Sequence, residues 1–186
     1  MIRPGCTLGI LGGGQLGRMM AMAAAELGLR THIYAPERDS PAFAVAAEHT
    51  VAAYEDEAAL VRFAKAVDVV TYEFENVPGA TAAILSAHAP LAPNAHALSV
   101  SQDRLSEKTF VSGLGIPTAP FAAVSDEAEL AAALERIGRP AVLKTRRFGY
   151  DGKGQAIIRE GDDAAAKFAH LGRHPRILEG FVPFER

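Results

Sequence analysis

Residues 146–158 read RRFGYDGKGQAII, a charged, glycine-rich loop that runs into an apolar segment. The preceding segment, PAVLKT at 140–145, is also apolar, so the pattern predicts two strands joined by a long loop. A tight hairpin turn needs only one glycine. Gly149, Gly152 and Gly154 exceed that need, and they favour a loop whose backbone N–H groups surround an anion.

Two lysines flank this loop and favour a phosphate ligand. Lys144 comes near the end of the first predicted strand, where its ammonium would be presented at the strand end rather than buried alone. Lys153 lies between two of the glycines. The loop is not a Walker loop, because the Gly-Lys pair followed by Ser or Thr is absent and a strand, not a helix, follows. An ordinary charged hairpin is the alternative interpretation.

Outward from the loop, the second half of the chain predicts mixed helices and strands. The predicted helices are 103–115, 125–138 and 162–171, and the further strands are 119–124 and 176–182. Arg104 and Lys108 are four residues apart and would share one helical face, although an ordinary surface helix is the alternative. Glu179 comes at the end of the last strand, beside backbone that could hydrogen-bond a base edge.

The first half of the chain has a different pattern, with strands and helices in alternation. The predicted strands are 6–11, 30–36, 50–54 and 68–74, and the predicted helices are 18–28, 40–49, 55–67 and 77–88. Short separations of this kind predict parallel βαβ units, so residues 1–93 form a small doubly wound domain. The proline-containing stretch that follows predicts a boundary, with a linker helix within 94–116 and a second domain over 117–186.

A second glycine motif, GGGQLG at 12–17, matches G-x-G-x-x-G between a predicted strand and a predicted helix. Such a loop allows close backbone approach, and the helix N-terminus favours an anion. A dinucleotide site would also place an acid at the end of the second strand, where this chain has Ala35 and Pro36, with Glu37 only after them. A phosphate or small-substrate site is therefore favoured over a nicotinamide or flavin site, and a purely structural turn is the alternative.

Two carboxylates follow the last strand of the first half. Glu73 and Glu75 lie in TYEFENV at 71–77, at the strand end where ligands of open α/β sheets bind. At alternate strand positions, both would point to the same face. The alternative, which the residues alone favour, is a solvated strand end with Asn76 capping the next helix.

Composition excludes several classes of protein. The net charge of −3 and the pI near 6.1 argue against general nucleic-acid binding, which needs a basic face. Cys6 is the only cysteine, and no Cys/His spacing is typical of zinc, so we expect a reducing cytoplasm. Glycines interrupt the apolar N-terminal stretch, which argues against a signal peptide. No run approaches the roughly 20 apolar residues of a membrane span.

The order of ILGGGQLGRMM, TYEFENV, SQDRLSEKTF, LGIPTAPF, AVLKTRRFGYDGKGQ and ILEGFVPFER resembles the ATP-grasp enzymes of purine biosynthesis that carboxylate 5-aminoimidazole ribonucleotide. The resemblance covers essentially all 186 residues. It implies an α/β chain with a Rossmann-like N-terminal (pre-ATP-grasp) domain followed by the first part of an ATP-grasp α+β domain. It also implies a cytoplasmic, homodimeric ligase that uses ATP and Mg²⁺. Bicarbonate would be activated as carboxyphosphate and joined to the amine, with release of ADP and phosphate.

The resemblance also implies site residues. The ATP-binding candidates are Arg104, Lys144, Gly149, Tyr150, Asp151, Gly152, Lys153, Gly154, Gln155, Glu179, Gly180, Phe181 and Val182. The candidates for the ribonucleotide and the carboxylation step are Gln15, Leu16, Glu73, Tyr150, Asp151 and Lys153. The loop at 149–155 would be mobile without nucleotide and close over the phosphates of ATP.

The chain departs from the resemblance in one respect, because it shows no acidic cluster that would ligate Mg²⁺. We therefore expect the metal ligands after residue 186, the chain to be the front part of a longer protein, and the 186-residue polypeptide alone to be inactive. Alternative functions are another ATP-grasp ligase, such as a formate-using purine enzyme or a biotin carboxylase-like protein. A non-catalytic nucleotide-binding module and a dinucleotide-dependent oxidoreductase are further alternatives.

Overall fold

The computed structural model describes residues 2–149, 153–172 and 174–183, and its contacts divide the chain into two units, Met1–Ser99 and Val100–Arg186. The predicted division at 1–93, 94–116 and 117–186 stays a prediction. The strands are β1 (Thr7–Leu11), β2 (Arg30–Ala35), β3 (Glu48–Val51), β4 (Val69–Tyr72), β5 (Phe121–Val124), β6 (Ala141–Thr145), β7 (Gln155–Ile158) and β8 (Arg176–Gly180). The α-helices are α1 (Gln15–Glu26), α2 (Glu57–Lys65), α3 (Gly79–His88), α4 (Ala95–Ser101), α5 (Arg104–Gly113), α6 (Glu127–Ile137) and α7 (Ala164–His170).

The first unit contains a four-stranded parallel sheet in the order β3-β2-β1-β4. Its central strands, β1 and β2, are largely buried, as expected for strands covered on both faces, although β2 includes the polar residues Thr31 and His32. Helix α1 and a 3-10 turn at Pro41–Val45 cover one face around Ile10 and Ile33. Helices α2 and α3 cover the other face around Leu11 and Tyr34. The predicted parallel βαβ arrangement is confirmed, and it leaves the carboxyl ends of the strands for a site.

The second unit contains a four-stranded antiparallel sheet in the order β5-β8-β6-β7. Strands β6 and β7 pair from Ala141 with Ile158 to Lys144 with Gln155, which confirms the predicted hairpin around the charged glycine loop. The two units together confirm the predicted fold class, an α/β domain followed by a mixed α+β domain.

The two faces of the second sheet differ because side chains alternate along each strand. Leu143 and Leu178 pack with apolar residues of α6 and α7, and Arg176 shares their face, which we call the helix face. Lys144 and Glu179 lie at the intervening positions and define the opposite face, which we call the lysine face.

Four local predictions are wrong. Strand β4 ends at Tyr72, where the amides of Glu73 and Phe74 both donate to the carbonyl of Leu11 and the chain turns away; Glu73 and Glu75 are therefore not alternate strand positions. The N-cap of α3 is Pro78, so Asn76 does not cap that helix.

The other two corrections concern helix bounds. Helix α1 begins at Gln15, not Arg18, because the glycine turn ends at Gly14 and good helix formers follow directly. The predicted helix over 40–49 is only a 3-10 turn at Pro41–Val45, and β3 begins at Glu48 because residues 48–51 pair with β2. Within the predicted boundary stretch, α4 buries Leu98 in the first unit's core. None of the described helices is long and apolar enough to cross a membrane.

Candidate functional site

The first candidate site is a cavity of about 290 Å³ at the carboxyl ends of β1, β2 and β4. Its wall consists of the glycine turn 12–14, residues of the segment 37–41 that follows β2, Tyr54, Glu73 and Phe74. This edge of a parallel sheet is where open α/β folds bind ligands. The cavity therefore lies where the sequence predicted a site, and its wall includes side chains that the sequence did not select.

The glycine turn brings the Glu73 carboxyl group close to the backbone. Gly12 has a φ of +110°, which favours glycine, and a methyl group there would collide with the carboxyl oxygen of Glu73. A methyl group at Gly17 would lie 2.5 Å from the carbonyl oxygen of Gly12, so this glycine allows α1 to pack against the turn. The turn therefore holds a carboxylate at the position where a G-x-G-x-x-G loop would otherwise admit a phosphate.

Three acidic side chains make this cavity unfavourable for anions. Glu37, Asp39 and Glu73 line it. Burial raises the pKa of Glu73, and the nearby charge of Glu37 raises it further. Carboxylates accept hydrogen bonds, so the cavity suits amines and hydroxyls and would repel the pyrophosphate of a dinucleotide. The sequence favoured either a phosphate or a small substrate at this glycine motif, and a small substrate with hydrogen-bond donors fits the cavity better than a phosphate.

An aromatic wall completes the cavity. The rings of Tyr54 and Phe74 stack with centroids 5.8 Å apart and an interplanar angle of 14°. Burial, followed by the charges of Glu37 and Glu73, raises the pKa of the Tyr54 phenol, which keeps this hydroxyl protonated as a donor. The wall therefore offers a flat apolar surface beside polar groups, which suits a small ring that carries hydrogen-bond donors.

The three predicted substrate residues of the first unit have different positions. Glu73 lines the cavity, whereas Gln15 and Leu16 form the first turn of α1, are exposed and are not part of the cavity wall. The sequence did not select Tyr54 and Phe74, because no local pattern relates two aromatic residues that are distant in the chain.

The second candidate site is a group of charged side chains on the lysine face of the second sheet. Glu179 Oε2 lies 2.8 Å from Lys144 Nζ and 3.5 Å from Lys108 Nζ. Glu179 is buried, and its Oε1 makes no hydrogen bond within the described part of the chain. One carboxylate thus holds two ammonium groups together, and the three side chains carry a net positive charge. An arrangement of this kind attracts anions such as phosphate.

Helix α5 contributes Lys108 to this site, a residue that the sequence placed on one helical face with Arg104 but that is not among the ATP-binding candidates. Lys108 contacts Glu179, and its ammonium also lies 5.9 Å from the centre of the Phe121 ring. Arg104 lies one turn earlier, and its amide donates to the carbonyl of Arg146. The sequence placed Arg104 and Lys108 on one helical face, but spacing alone could not tell which of them reaches the sheet.

Asp103 attaches the start of α5 to the start of the charged glycine loop. Its carboxylate caps the helix by accepting from the amides of Leu105 and Ser106. It also accepts from Arg146 through two bonds, Nε to Oδ1 at 3.0 Å and Nη2 to Oδ2 at 2.8 Å. Burial acts to raise the pKa of Asp103, but the hydrogen bonds from Arg146 and the backbone outweigh it and hold that pKa below its usual value. Arg146, the first residue of the loop, is therefore held against the N-terminus of α5.

The described part of the glycine loop contacts Thr145. The Thr145 amide donates to the carbonyl of Gly154 at 2.8 Å, and Gly154 has a φ of +70°. Lys153 is exposed next to it, and Gln155 begins β7 opposite Lys144. The predicted residues Tyr150, Asp151 and Gly152 lie outside the described residues, and so does the expectation of loop closure that depends on them.

The segment after Glu179 is the predicted base-binding edge. The amide of Gly180 donates to the Pro120 carbonyl at 2.8 Å, and the amide of Phe181 donates to the Pro140 carbonyl at 3.2 Å. Neither amide is therefore left for a base. Phe181 and Val182 are both exposed, so a base could contact this edge through their side chains and through carbonyl groups.

The described residues do not fit a magnesium ion. Nowhere in residues 2–149, 153–172 and 174–183 do three or more His, Cys, Asp or Glu side chains come together in a group that could hold a metal ion. Mg²⁺ prefers several oxygen ligands in octahedral geometry. No described side chain is therefore assigned to a metal.

Two family models match this chain. The ribonucleotide synthetase preATP-grasp domain matches residues 6–102, and the ATP-grasp domain matches residues 109–186. Among curated relatives, N5-carboxyaminoimidazole ribonucleotide synthase of Brucella melitensis is 51% identical over 187 residues, which cover 100% of this chain and 52% of that protein. The chain thus spans about half the length of this relative.

Solved structures agree with this match. N5-carboxyaminoimidazole synthetase of Staphylococcus aureus complexed with ADP superposes with a TM-score of 0.92 at 35% identity, covering 99% of this chain and 49% of that one. N5-carboxyaminoimidazole synthase of Aspergillus clavatus, in complex with ADP and 5-aminoimidazole ribonucleotide, gives a TM-score of 0.86 at 27% identity. That match covers 98% of this chain and 48% of the other.

Proposed function

Because this chain belongs to the ribonucleotide synthetase preATP-grasp family and continues into an ATP-grasp domain, we propose that its protein is an ATP-dependent ligase that carboxylates 5-aminoimidazole ribonucleotide. Bicarbonate would supply the carboxyl group, and the products would be N5-carboxyaminoimidazole ribonucleotide, ADP and phosphate. The names of the relatives support this assignment, as do the ADP and the ribonucleotide in two of their structures.

The observation that supports ATP binding is the cluster of Lys144, Glu179 and Lys108 beside the charged glycine hairpin. Glu179 fixes the two ammonium groups before a ligand arrives, so their charges need little rearrangement to meet phosphate oxygens. We propose that ATP binds here, with Lys108 added to the predicted set. That set consists of Arg104, Lys144, the loop Gly149–Gln155 and the edge Glu179–Val182.

For the second substrate we propose the cavity of the first unit. Glu37 and Glu73 would accept hydrogen bonds from the ribose hydroxyls or the amine of the ribonucleotide, and the aromatic wall of Tyr54 and Phe74 would contact its imidazole ring. The phosphate of the ribonucleotide would bind away from these carboxylates. Gln15, Leu16, Tyr150, Asp151 and Lys153 stay proposed substrate residues on the resemblance alone.

The proposed chemistry has two steps. A bicarbonate oxygen attacks the γ-phosphorus of ATP, which breaks the bond to ADP and gives carboxyphosphate. The amine of the ribonucleotide then attacks the carboxyl carbon, loses a proton and expels phosphate. The contribution of the protein is to position the reactants and neutralise charge. Since the described residues do not form a Mg²⁺ site, no step is assigned to that ion. We also propose that the protein is a homodimer and lies in the cytoplasm, and both proposals are based on the family resemblance alone.

Substrate-dependent release of ADP by the full-length protein tests the reaction. We expect bicarbonate plus 5-aminoimidazole ribonucleotide to stimulate ADP release, and formate plus glycinamide ribonucleotide not to do so. ATP, but not NAD, should protect the protein from thermal unfolding, because only a ligand of the folded state stabilises it. Stimulation by formate, or protection by NAD alone, would contradict the proposal.

The Lys144→Met variant tests the nucleotide site. It removes a charged donor, so we expect the affinity for ATP to fall roughly 10- to 100-fold, the equivalent of one charge-assisted hydrogen bond. Lys65→Met, at an exposed lysine near the end of α2, is the matched control and should leave the affinity unchanged. Calorimetric titration with ATP measures both variants. Equal affinities in the two would remove Lys144 from the site.

A further inference from the structure

Arg176 is a buried arginine on the helix face of the second sheet, where the proposed nucleotide site does not reach. It begins β8, pairs with Val124 and Thr145 on the neighbouring strands, and is only 4% exposed. Its guanidinium carbon lies 3.6 Å from the centre of the Phe168 ring. The contact fixes the guanidinium plane on the ring of α7.

The charge of Arg176 has no counter-ion among the described residues. Its Nη2 donates to the carbonyl of Phe168 at 3.1 Å, whereas its Nε is buried and has no hydrogen-bond partner within the described residues. None of the described carboxylates forms an ion pair with it; the Glu129 carboxylate accepts instead from the amide of Ser125 at 2.7 Å. Burial lowers the pKa of Arg176, but a guanidinium stays charged at neutral pH. A buried, uncompensated cation is unfavourable unless a ligand supplies the opposite charge.

A cavity of about 330 Å³ provides the space for such a ligand. Arg176 lines it together with Phe168, Ser125, His174 and Pro175. Ser125 and His174 are exposed at its rim and bring a hydroxyl and an imidazole, both of which can donate hydrogen bonds. A fixed guanidinium with further donors around it is a common arrangement for binding an oxyanion.

We propose that this cavity is a binding site for a small anion of the phosphate or carboxylate class, held by the guanidinium of Arg176 with Ser125 and His174 at the rim. His174 also lines a neighbouring cavity with Thr145 and with Gly154 of the glycine loop. The guanidinium is not on the lysine face of the proposed nucleotide site, because side chains at Arg176 and Glu179 project to opposite faces of the sheet. The inference therefore does not depend on the proposed ligase reaction.

Titration of the protein with inorganic phosphate at constant ionic strength tests the site. The Nε–H signal of Arg176 in a ¹H–¹⁵N spectrum, assigned by its loss in Arg176→Lys, should shift saturably. A parallel titration with acetate distinguishes a phosphate from a carboxylate ligand, and a saturable shift with either supports the proposal. Lys144→Met should give the same titration as the wild type. Such a result would show that the shift of the Arg176 signal is not caused by phosphate bound on the lysine face. No saturable shift with either anion would overturn the proposal.

Variants at the rim keep the test independent of any effect of Arg176 on folding. Ser125→Ala and His174→Ala replace exposed residues, and each should weaken phosphate binding by roughly two- to tenfold, the equivalent of one neutral hydrogen bond. Arg136→Gln, an exposed arginine in the last turn of α6, is the control and should leave the titration unchanged. If the double variant at Ser125 and His174 binds phosphate as tightly as the wild type, the proposed site is wrong. Failure of the ligase assay would leave these titrations unaffected, so the two proposals fail separately.

Discussion

Glu179 and Arg176 lie on the same strand, β8, and both are buried, yet only Glu179 contacts side chains of opposite charge within the described residues. Glu179 is 6% exposed and contacts two ammonium groups on the lysine face. Arg176 is 4% exposed and contacts an aromatic ring and a carbonyl on the helix face. Burial of a charge is unfavourable in both cases, but only Glu179 has ionic partners that would be left unpaired by its removal.

This difference predicts how the two faces respond to substitution. Loss of Glu179 would leave Lys144 and Lys108, which both approach its Oε2, as neighbouring like charges. Loss of Arg176 would leave the Phe168 ring and one carbonyl, neither of which carries a charge. The stability of the lysine face should therefore depend on its charged residue more strongly than that of the helix face.

The largest effect is expected for Glu179→Gln. The variant keeps the shape of the side chain but removes the charge that holds two lysines, and we expect the free energy of unfolding to fall by about 3 kcal/mol. Urea unfolding measures the change, provided that the denaturant dependence is the same in both proteins. Glu135→Gln, at an exposed residue of α6, should change it by less than about 0.5 kcal/mol. Equal effects of the two substitutions would mean that Glu179 does not stabilise its lysines.

A second test concerns Arg146, which, unlike Arg176, forms an ion pair with a carboxylate, that of Asp103. Asp103→Asn removes the charge that Arg146 contacts but keeps a residue that caps helices well, so the effect reports mainly the ion pair. We expect the free energy of unfolding to fall by about 1.5 kcal/mol at neutral pH.

The pH dependence of this difference follows from the lowered pKa of Asp103. A carboxyl group whose pKa is lower in the folded protein contributes stability above its ordinary pKa, 3.8, and this stability is lost as the pH falls through the folded value. The gap between wild type and Asp103→Asn should therefore be constant near neutrality and close in acid. Urea unfolding at a series of pH values measures it, and a gap that persists unchanged in acid would contradict the assignment.

Local patterns predicted the elements of both units well, because hydrophobic alternation and glycine positions are local properties. The βαβ order and the hairpin from β6 to β7 could be predicted in this way. The end of β4 could not be, since it depends on two amides that share the carbonyl of Leu11, a contact with another strand.

The site residues were harder to predict because charges meet across the chain. The choice between Arg104 and Lys108 depends on which helical position faces Glu179, a residue far away in the sequence. The burial of Arg176 had no signal either, since arginine at the start of an apolar strand usually extends into solvent. The cavity of the first unit shows the same limit, because Tyr54 and Phe74 meet only after folding.

The smallest effect on stability is expected for Arg176→Met, in the absence of added anions. Methionine fills a similar space on the Phe168 ring, and the loss of one hydrogen bond and one cation–π contact is offset by removal of a buried charge, so the free energy of unfolding should change by less than about 1 kcal/mol. Phosphate should then separate the two proteins, because it stabilises only the one that binds it. Thermal unfolding with and without phosphate, with Arg136→Met as the control, measures this difference. A large loss of stability without phosphate, together with an equal response to phosphate, would mean that Arg176 serves the packing of α7 and not an anion.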